Sequence, residues 1–408
     1  MPWSKEWIKF FLDFNVLFLY NNGKLNEGVG LKNIGKRAIV RKAEIYNEYR
    51  ATYELSLLIG NENQIDALRQ EMDHYDESVF VSHPTSKEKD LYKKEKDQLL
   101  PLSKFSAELI SKGIDFDNPI ILNYNKEGLK ESVNQKADIK IIDPDTKKEL
   151  AISLKQYQNY SDIQVASGTY FSTLCGLLFD TIGRGKFVTS SGEEFNSKKA
   201  QFSTIKRHVC EEYGAECAKP LGEILEITEE VHKLRYEESC PDAKVFKDLS
   251  KKSINPFLSL MSIAIKDKHS LIKNRFLKRT GFVGKKELVY TAYSGNSICY
   301  ISSLTDDGFH EMIDSLNSED CKLEVHQSGK NQDGQGVQFS FKHGNDVVLG
   351  ATMPLSINKN GAWANRDRYC KVSKQYVNEG ERRPKKALQL DTSTNVWVSL
   401  RKYIKKVS

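Results

Sequence analysis

Over residues 36–59 the apolar and aromatic positions Ile39, Ala43, Tyr46, Tyr49, Tyr53 and Leu57 recur at helical spacing with charge on the other face, which predicts a helix. Residues 61–112 stay polar and helix-prone, and the charged stretch 86–98 reads as a solvated helical face or a connection. From Asn118 the period changes. Residues 119–124, 137–142 and 149–157 are short β-prone runs, and Asp143, Pro144 and Asp145 supply a turn between the last two, which makes them a hairpin. The run 163–179, apolar at Val165, Tyr170, Leu174, Leu177 and Leu178, predicts one mostly buried helix packed on those strands. The order helix, strands, helix defines an α/β unit of about 150 residues.

Between 186 and 286 the pattern is mainly helical, with breaks at Pro220 and Pro256. From Glu287 onward it becomes strand and turn, with runs such as ELVYTAY, SICYISS and DVVLGATM punctuated by Gly- and Asn-rich loops. Three regions are therefore expected: an α/β unit with N-terminal helices over 1–185, a helical region over 186–286, and a separate β-rich C-terminal domain over 287–408.

A chain of 408 residues with 39% hydrophobic, 28% charged and 10% aromatic residues is neither disordered nor a fibrous rod. Its seven scattered cysteines do not form a disulfide framework, and a reducing cytoplasm is expected. The apolar run 8–20 is interrupted by Lys9, Asp13 and Asn15 with no cleavage site after it, so a buried element is expected there and no membrane partner. The net charge of +6 says little by itself. Residues 243–286 alone carry a net +10, however, and residues 366–408 a net +8, so two basic blocks stand in an otherwise acidic chain. An anionic partner fits them.

The hairpin bears the candidate chemistry. Asp138 lies on its first strand; on the second, Glu149, Ala151, Ser153 and Lys155 share one face, and residues 153–155 come opposite Asp138. An aspartate in an apolar strand is costly to bury without a partner. Phosphodiester hydrolysis needs a hard divalent cation held by oxygens, an in-line water, and a positive group to orient that water and steady the phosphate charge. Asp138, the Leu154 carbonyl and Lys155 supply those parts.

The phrase ADIKIIDPDTKKELAISLK, with Asp138, a seventeen-residue step to Lys155 and a hairpin followed by a helix, resembles the PD-(D/E)XK nuclease superfamily over about residues 36–180, under half the chain. The resemblance implies a restriction-endonuclease-like α/β core, a mixed sheet flanked by helices, making 1–185 the catalytic part, and Mg²⁺ as cofactor. Ser153 stands where the family pattern has Asp or Glu, so this chain shows an S-x-K form seen in some restriction-type branches. The missing carboxylate would come from the preceding helix, as superfamily members often arrange. Glu44, Glu48 and Glu54 are the candidates, and Glu48 is chosen.

Other motifs carry less. His208, Cys210, Cys217, His232 and Cys240 cluster in sequence without a C-x2-C pair, and the Gly-rich stretch 328–336 lacks the ending of a phosphate loop. Lys278, Arg279, Lys285 and Lys286 of the first basic block, and Asn365, Arg366 and Arg368 before the tail, are the expected DNA contacts. The expected function is Mg²⁺-dependent endonuclease action on double-stranded DNA, resembling type II restriction enzymes: Asp138, Leu154 and Glu48 on the metal, Lys155 on the attacking water, Ser153 bonded to a water. Many such enzymes work as homodimers on palindromic sites. Alternatives are a phage or mobile-element nuclease of the same fold, or a nucleic-acid-binding protein whose nuclease core has decayed.

Overall fold

Three long helices, α1 (Leu31–Ile59), α2 (Glu62–Ser82) and α3 (Ser86–Lys112), precede β1 (Ile120–Asn123), β2 (Ile139–Ile142), β3 (Glu149–Tyr157), β4 (Ile163–Ala166), α4 (Tyr170–Leu178), β5 (Asp180–Gly183), β6 (Lys186–Val188) and β7 (Glu194–Asn196). There follow α5 (Phe202–Tyr213), α6 (Ala218–Tyr236), α7 (Ala243–Lys252), α8 (Ile254–Thr280), β8 (Lys286–Ser294), β9 (Ser297–Ser302), α9 (Asp307–Asn317), β10 (Cys321–Gln327), β11 (Gly336–His343), β12 (Asp346–Pro354), β13 (Ser356–Ile357), β14 (Thr392–Ser393), β15 (Val396–Ser399) and β16 (Lys405–Lys406). The computed structural model describes residues 31–82, 85–124, 137–166, 170–183, 185–196, 202–236, 243–282, 286–328, 336–357, 392–393 and 396–407.

The main sheet has the order β1-β2-β3-β8-β9-β16 and is mixed, because β8 runs parallel to β3 while the other pairs are antiparallel. One face is covered by the helices: Ala51 and Leu55 of α1 and Ala107, Leu109 and Ile110 of α3 pack on Ile139, Ile141, Ile152, Leu154 and Val289. The alternation of β3 sets this, since Ile152 and Leu154 face the helices and Ser153 and Lys155 face the other way. The charged stretch 86–98 is ordered as the first part of α3. Thr85 caps it by accepting from the Glu88 N–H, Tyr92 is buried, and the Lys96 ammonium sits 2.8 Å from Asp76 and 4.5 Å from the Tyr46 ring centre.

The expected separation of a C-terminal domain at 287 does not occur. β8 enters the centre of the first sheet beside β3, and β9 and β16 extend it, so strands from both ends of the chain share one sheet. Val289, Tyr290 and Ala292 are buried on a strand covered on both faces, which explains its continuous apolar run. The expected single helix over 163–179 is also corrected. Residues 163–166 form β4, paired antiparallel with β15 at the edge of a second sheet, β10-β11-β12-β15-β4, and among the described residues of that run the helix covers 170–178. The described residues from 202 to 280 are mainly helical, but 186–188 and 194–196 belong to a three-stranded sheet with β5.

Pro220 and Pro256 sit in the first turns of α6 and α8, where a missing N–H breaks no helical bond, so they mark starts. α8 lies on the second sheet, with Phe276 against Phe339 and Phe341 at ring distances of 4.8 and 5.1 Å. Among the described residues no helix is long and apolar enough to cross a membrane.

Candidate active site on the β2–β3 hairpin

The turn that closes the hairpin fixes its register. Asp143 Oδ1 accepts the Asp145 N–H at 2.9 Å, Asp143 Oδ2 accepts the Thr146 hydroxyl, and Lys147 takes a positive φ of 58°. The Thr146 hydrogen bond, with the Asp145 N–H, holds the Asp143 carboxyl below the usual carboxylate range. With Ile139 opposite Ile152, Asp138 falls opposite Ser153.

At Asp138 the ladder changes character. Its N–H donates to the Ile152 carbonyl at 2.7 Å and its carbonyl accepts from Tyr124 N–H at 3.0 Å. The next rung is made by the side chain: Leu154 N–H donates to Asp138 Oδ2 at 2.7 Å, and the same oxygen lies 3.6 Å from Lys155 Nζ. Lys155 Nζ also donates to the Leu154 carbonyl at 3.2 Å. The sequence-expected meeting of Asp138, Leu154 and Lys155 is thus present. Burial by itself would lower the Lys155 pKa, but the negative charges of Asp138 and Glu48, with a smaller contribution from Tyr157, outweigh it, and the ammonium is held above its ordinary value. It is a protonated group at neutral pH.

The three helix acids differ in their surroundings. Glu48 is buried, and its charge acts on Lys155. Glu44 is more exposed and lies 3.0 Å from Arg41, while Glu54 accepts from Arg50 Nε at 2.8 Å.

Arg41, absent from the sequence expectations, joins the group. Its Nη1 lies 3.5 Å from Glu48, and burial, which would lower its pKa, is overcome by the carboxylates of Glu48, Glu44 and Asp138. Its signal was present in the spacing, because an arginine seven residues before Glu48 lies two turns along the same helix face. Arg41 and Glu48 thus pair on α1, and Lys155 and Asp138 pair on the hairpin.

Ser153 is buried and, with Lys155, lines a cavity of about 140 Å³ whose other walls include Thr280, Phe282, Glu287, Ser303, Phe309 and His310. Glu287 is a second acid that sequence reasoning missed. Its Oε2 accepts the Ser303 hydroxyl at 2.5 Å.

Among the described residues there is no group of three or more His, Cys, Asp and Glu side chains that could hold a metal. The oxygens at the hairpin still suit Mg²⁺, which binds through one or two carboxylates and keeps several waters. Asp138, Glu48 and the Leu154 carbonyl offer oxygens of that kind, and each carboxylate already faces a cation. The sulfur and imidazole groups of the 208–217 stretch do not. His208 is buried and stacked on Phe195, and Cys210 and Cys217 are free thiols.

The expected DNA contacts divide. Lys278 is exposed near the end of α8. Arg279 is turned inward: its Nη2 donates to the Thr173 hydroxyl at 3.0 Å, its Nη1 lies 2.5 Å from where a Cβ on Gly176 would sit, and burial pushes its pKa down to about 10. It packs α8 on α4 instead of facing a groove. Lys273 and Arg275 of the same basic block are buried too, on the Ser318 and Cys321 carbonyls and on Asp180 and Glu212. Lys286 begins β8 opposite Ala151. Lys285, Asn365, Arg366 and Arg368 lie outside the described residues. Comparison of the chain with protein-family models, with curated proteins and with solved structures finds no match.

Proposed function

We propose that the chain is a Mg²⁺-dependent endonuclease acting on double-stranded DNA in the manner of restriction enzymes, with its active site at the β2–β3 hairpin. The observation that carries this reading is the Asp138 carboxylate, bound by Leu154 N–H and 3.6 Å from Lys155, with the Glu48 charge acting on the same ammonium. The succession of helix, antiparallel hairpin and later helix, set in a mixed sheet, agrees with the PD-(D/E)XK resemblance.

Asp138, Glu48 and the Leu154 carbonyl would hold the metal. When bound, Mg²⁺ supplies an activated water and neutralises charge at the phosphate. Lys155, protonated, does not take a proton from water; it donates hydrogen bonds that orient the nucleophile and stabilise charge on the phosphate oxygens. Ser153, on the Lys155 face of β3, would bond a water through its hydroxyl. Arg41, with its side chain 58% exposed, is placed to meet a phosphate from the α1 side. Exposed Lys251, Lys252, Lys266 and Lys278 would supply sequence-independent backbone contacts.

A second reading rests on Ser153, which leaves the hairpin one acid short: a nucleic-acid-binding protein that no longer cuts. Incubation with plasmid DNA and Mg²⁺ separates the two. Discrete fragments, lost in Asp138→Ala, Glu48→Ala and Lys155→Ala, are expected. A smear would replace the restriction-type assignment by a non-specific nuclease of the phage or mobile-element kind. A gel shift without any cutting would overturn the enzyme and leave the binder.

A further inference from the structure

The cavity beside Ser153 has two unlike walls. One is polar and belongs to the sheet. β8 runs parallel to β3 with Glu287 level with Ile152 and Leu288 level with Ser153, so along the strands an acid, a hydroxyl and the Lys155 ammonium come in that order. The other wall is apolar: Phe282, just after α8, and Phe309 and Ile313, one turn apart on α9. Both phenylalanines are buried.

The walls are held in place by hydrogen bonds. Ser303 accepts the Leu288 N–H at 2.7 Å and donates to Glu287, which ties that acid to the strands. α9 is fixed at its start by Asp306, which accepts the Gly308 N–H at 3.1 Å and lies 3.3 Å from Lys405. The polar groups nevertheless keep bonding capacity. Ser153 is only 3% exposed, yet its hydroxyl bonds no protein group among the described residues. Glu287 has a second carboxylate oxygen to which no described residue donates. Lys155 carries three donors, one on the Leu154 carbonyl and one facing Asp138.

An ordinary packing void is apolar and too small to hold a molecule. This cavity differs on both counts. Its volume of about 140 Å³ is close to that of a cavity of about 150 Å³ known to take one benzene ring, and polar groups converge on it as in a ligand site. One flat six-membered ring fits between the sheet and α9. Its edge must offer a donor to Glu287 and then acceptors to Ser153 and Lys155. Cytosine has that edge, an amino group followed by N3 and O2, whereas thymine sets a carbonyl against the acid and a purine brings a second ring.

Lys155 lines the cavity and also faces Asp138, so the cavity opens next to the place proposed for the scissile phosphate. A base enters such a pocket only by leaving the stack. Resting on the proposed function, we infer that the cavity receives one cytosine swung out of the DNA beside the cleaved bond, with Glu287 accepting from its amino group.

The test uses the full chain without divalent metal, so that no cleavage intervenes. Short duplexes carrying one unpaired cytosine or one unpaired thymine are compared with the fully paired duplex by fluorescence anisotropy. An unpaired base has already left the stack, so the cytosine bulge should bind about tenfold more tightly than either of the others, the discrimination that one good base contact gives. Glu287→Gln, whose amide donates as well as accepts, should bring the two bulges to within about twofold of each other. Val165→Phe, which fills the cavity from β4, should remove the advantage of any bulge, and it decides if Glu287→Gln does not fold. In parallel, cytidine and uridine are titrated against the ¹³C-methyl signal of Ile313, assigned by its loss in Ile313→Val. Cytidine should shift it and uridine should not.

Equal affinity for the three duplexes would overturn the inference even if the protein cuts plasmid DNA with Mg²⁺, which would leave the nuclease reading standing. Equal affinity with a cytidine-dependent shift would assign the cavity to a free nucleoside instead. A protein that binds no duplex and cuts no plasmid would sink the nuclease reading and the extruded base together, while the cytidine titration still decides whether the cavity takes that ring.

Discussion

Replacing Asp138 by Asn and Lys155 by Met, singly and together, measures whether the pair at the centre of the site exists in solution. At the 3.6 Å separation, Coulomb attraction is about 4–5 kcal/mol at an effective dielectric near 20 and about 1 kcal/mol in water. The two side chains are 28% and 17% exposed, so the true value lies between these limits. Glu48 and Arg41 act on the same pair and share the field, which lowers what either partner loses alone. A coupling of about 1–2 kcal/mol is expected.

The assay is urea unfolding of the four proteins near neutral pH without divalent metal, with the coupling taken from the double-mutant cycle. Desolvation of each partner appears in the single variants and cancels in the cycle. Asp138→Asn keeps an oxygen for the Leu154 N–H, so the cycle reports charge more than backbone support. Raising the salt to about 0.5 M should reduce the coupling without abolishing it, because a part-buried pair is screened less than an exposed one. A coupling below about 0.3 kcal/mol would mean that the ion pair does not form, and the reasoning from it would fail.

The pH dependence has a definite sign. Because the folded pKa of Lys155 is raised, its stabilising contribution is complete below the unfolded value of about 10.4 and is lost as the pH climbs through the folded value. The stability difference between the parent and Lys155→Met should therefore be flat from about pH 7 to 9 and shrink only above about 10.5, as followed by chemical unfolding across that range. Within the basic block, Arg279→Met should lower stability by about 1–3 kcal/mol, because the Thr173 contact and the packing on Gly176 are lost, and should leave the salt dependence of DNA binding unchanged. Lys278→Ala should do the reverse, with unchanged melting and a log–log salt slope smaller by about one.

The hairpin and the helix before it were legible in the sequence because their signals are local. The turn residues Asp143–Asp145 and the strict alternation around Ser153 and Lys155 depend on neighbours a few positions away, and the same holds for the face of α1 that carries Glu48. β4 and β8 were misplaced for the opposite reason. Ile163 to Ala166 become a strand only because Val396 to Val398 arrive beside them from the far end of the chain, and β8 joins β3 after more than a hundred intervening residues. No short-range pattern records that pairing.

The basic block misled in a more instructive way. Ile272, Arg275, Phe276 and Arg279 follow helical spacing, so the phase of the buried face already placed two arginines inward. Of the block's expected DNA contacts, Arg279 shares that inward phase, whereas Lys278 is exposed. Arg41 was overlooked because helical phase was left out there too, since it shares a helix face with Glu48.

The claim on which the rest depends is that Asp138 and Glu48 grip one cation next to Lys155. Crystals of the protein soaked in Mn²⁺, used for its anomalous signal in place of Mg²⁺, test it directly. The account predicts one strong peak about 2.2 Å from oxygens of both carboxylates and near the Leu154 carbonyl. A peak on Glu287 in the cavity beside Ser153, or none between Asp138 and Glu48 at saturating metal, would contradict it.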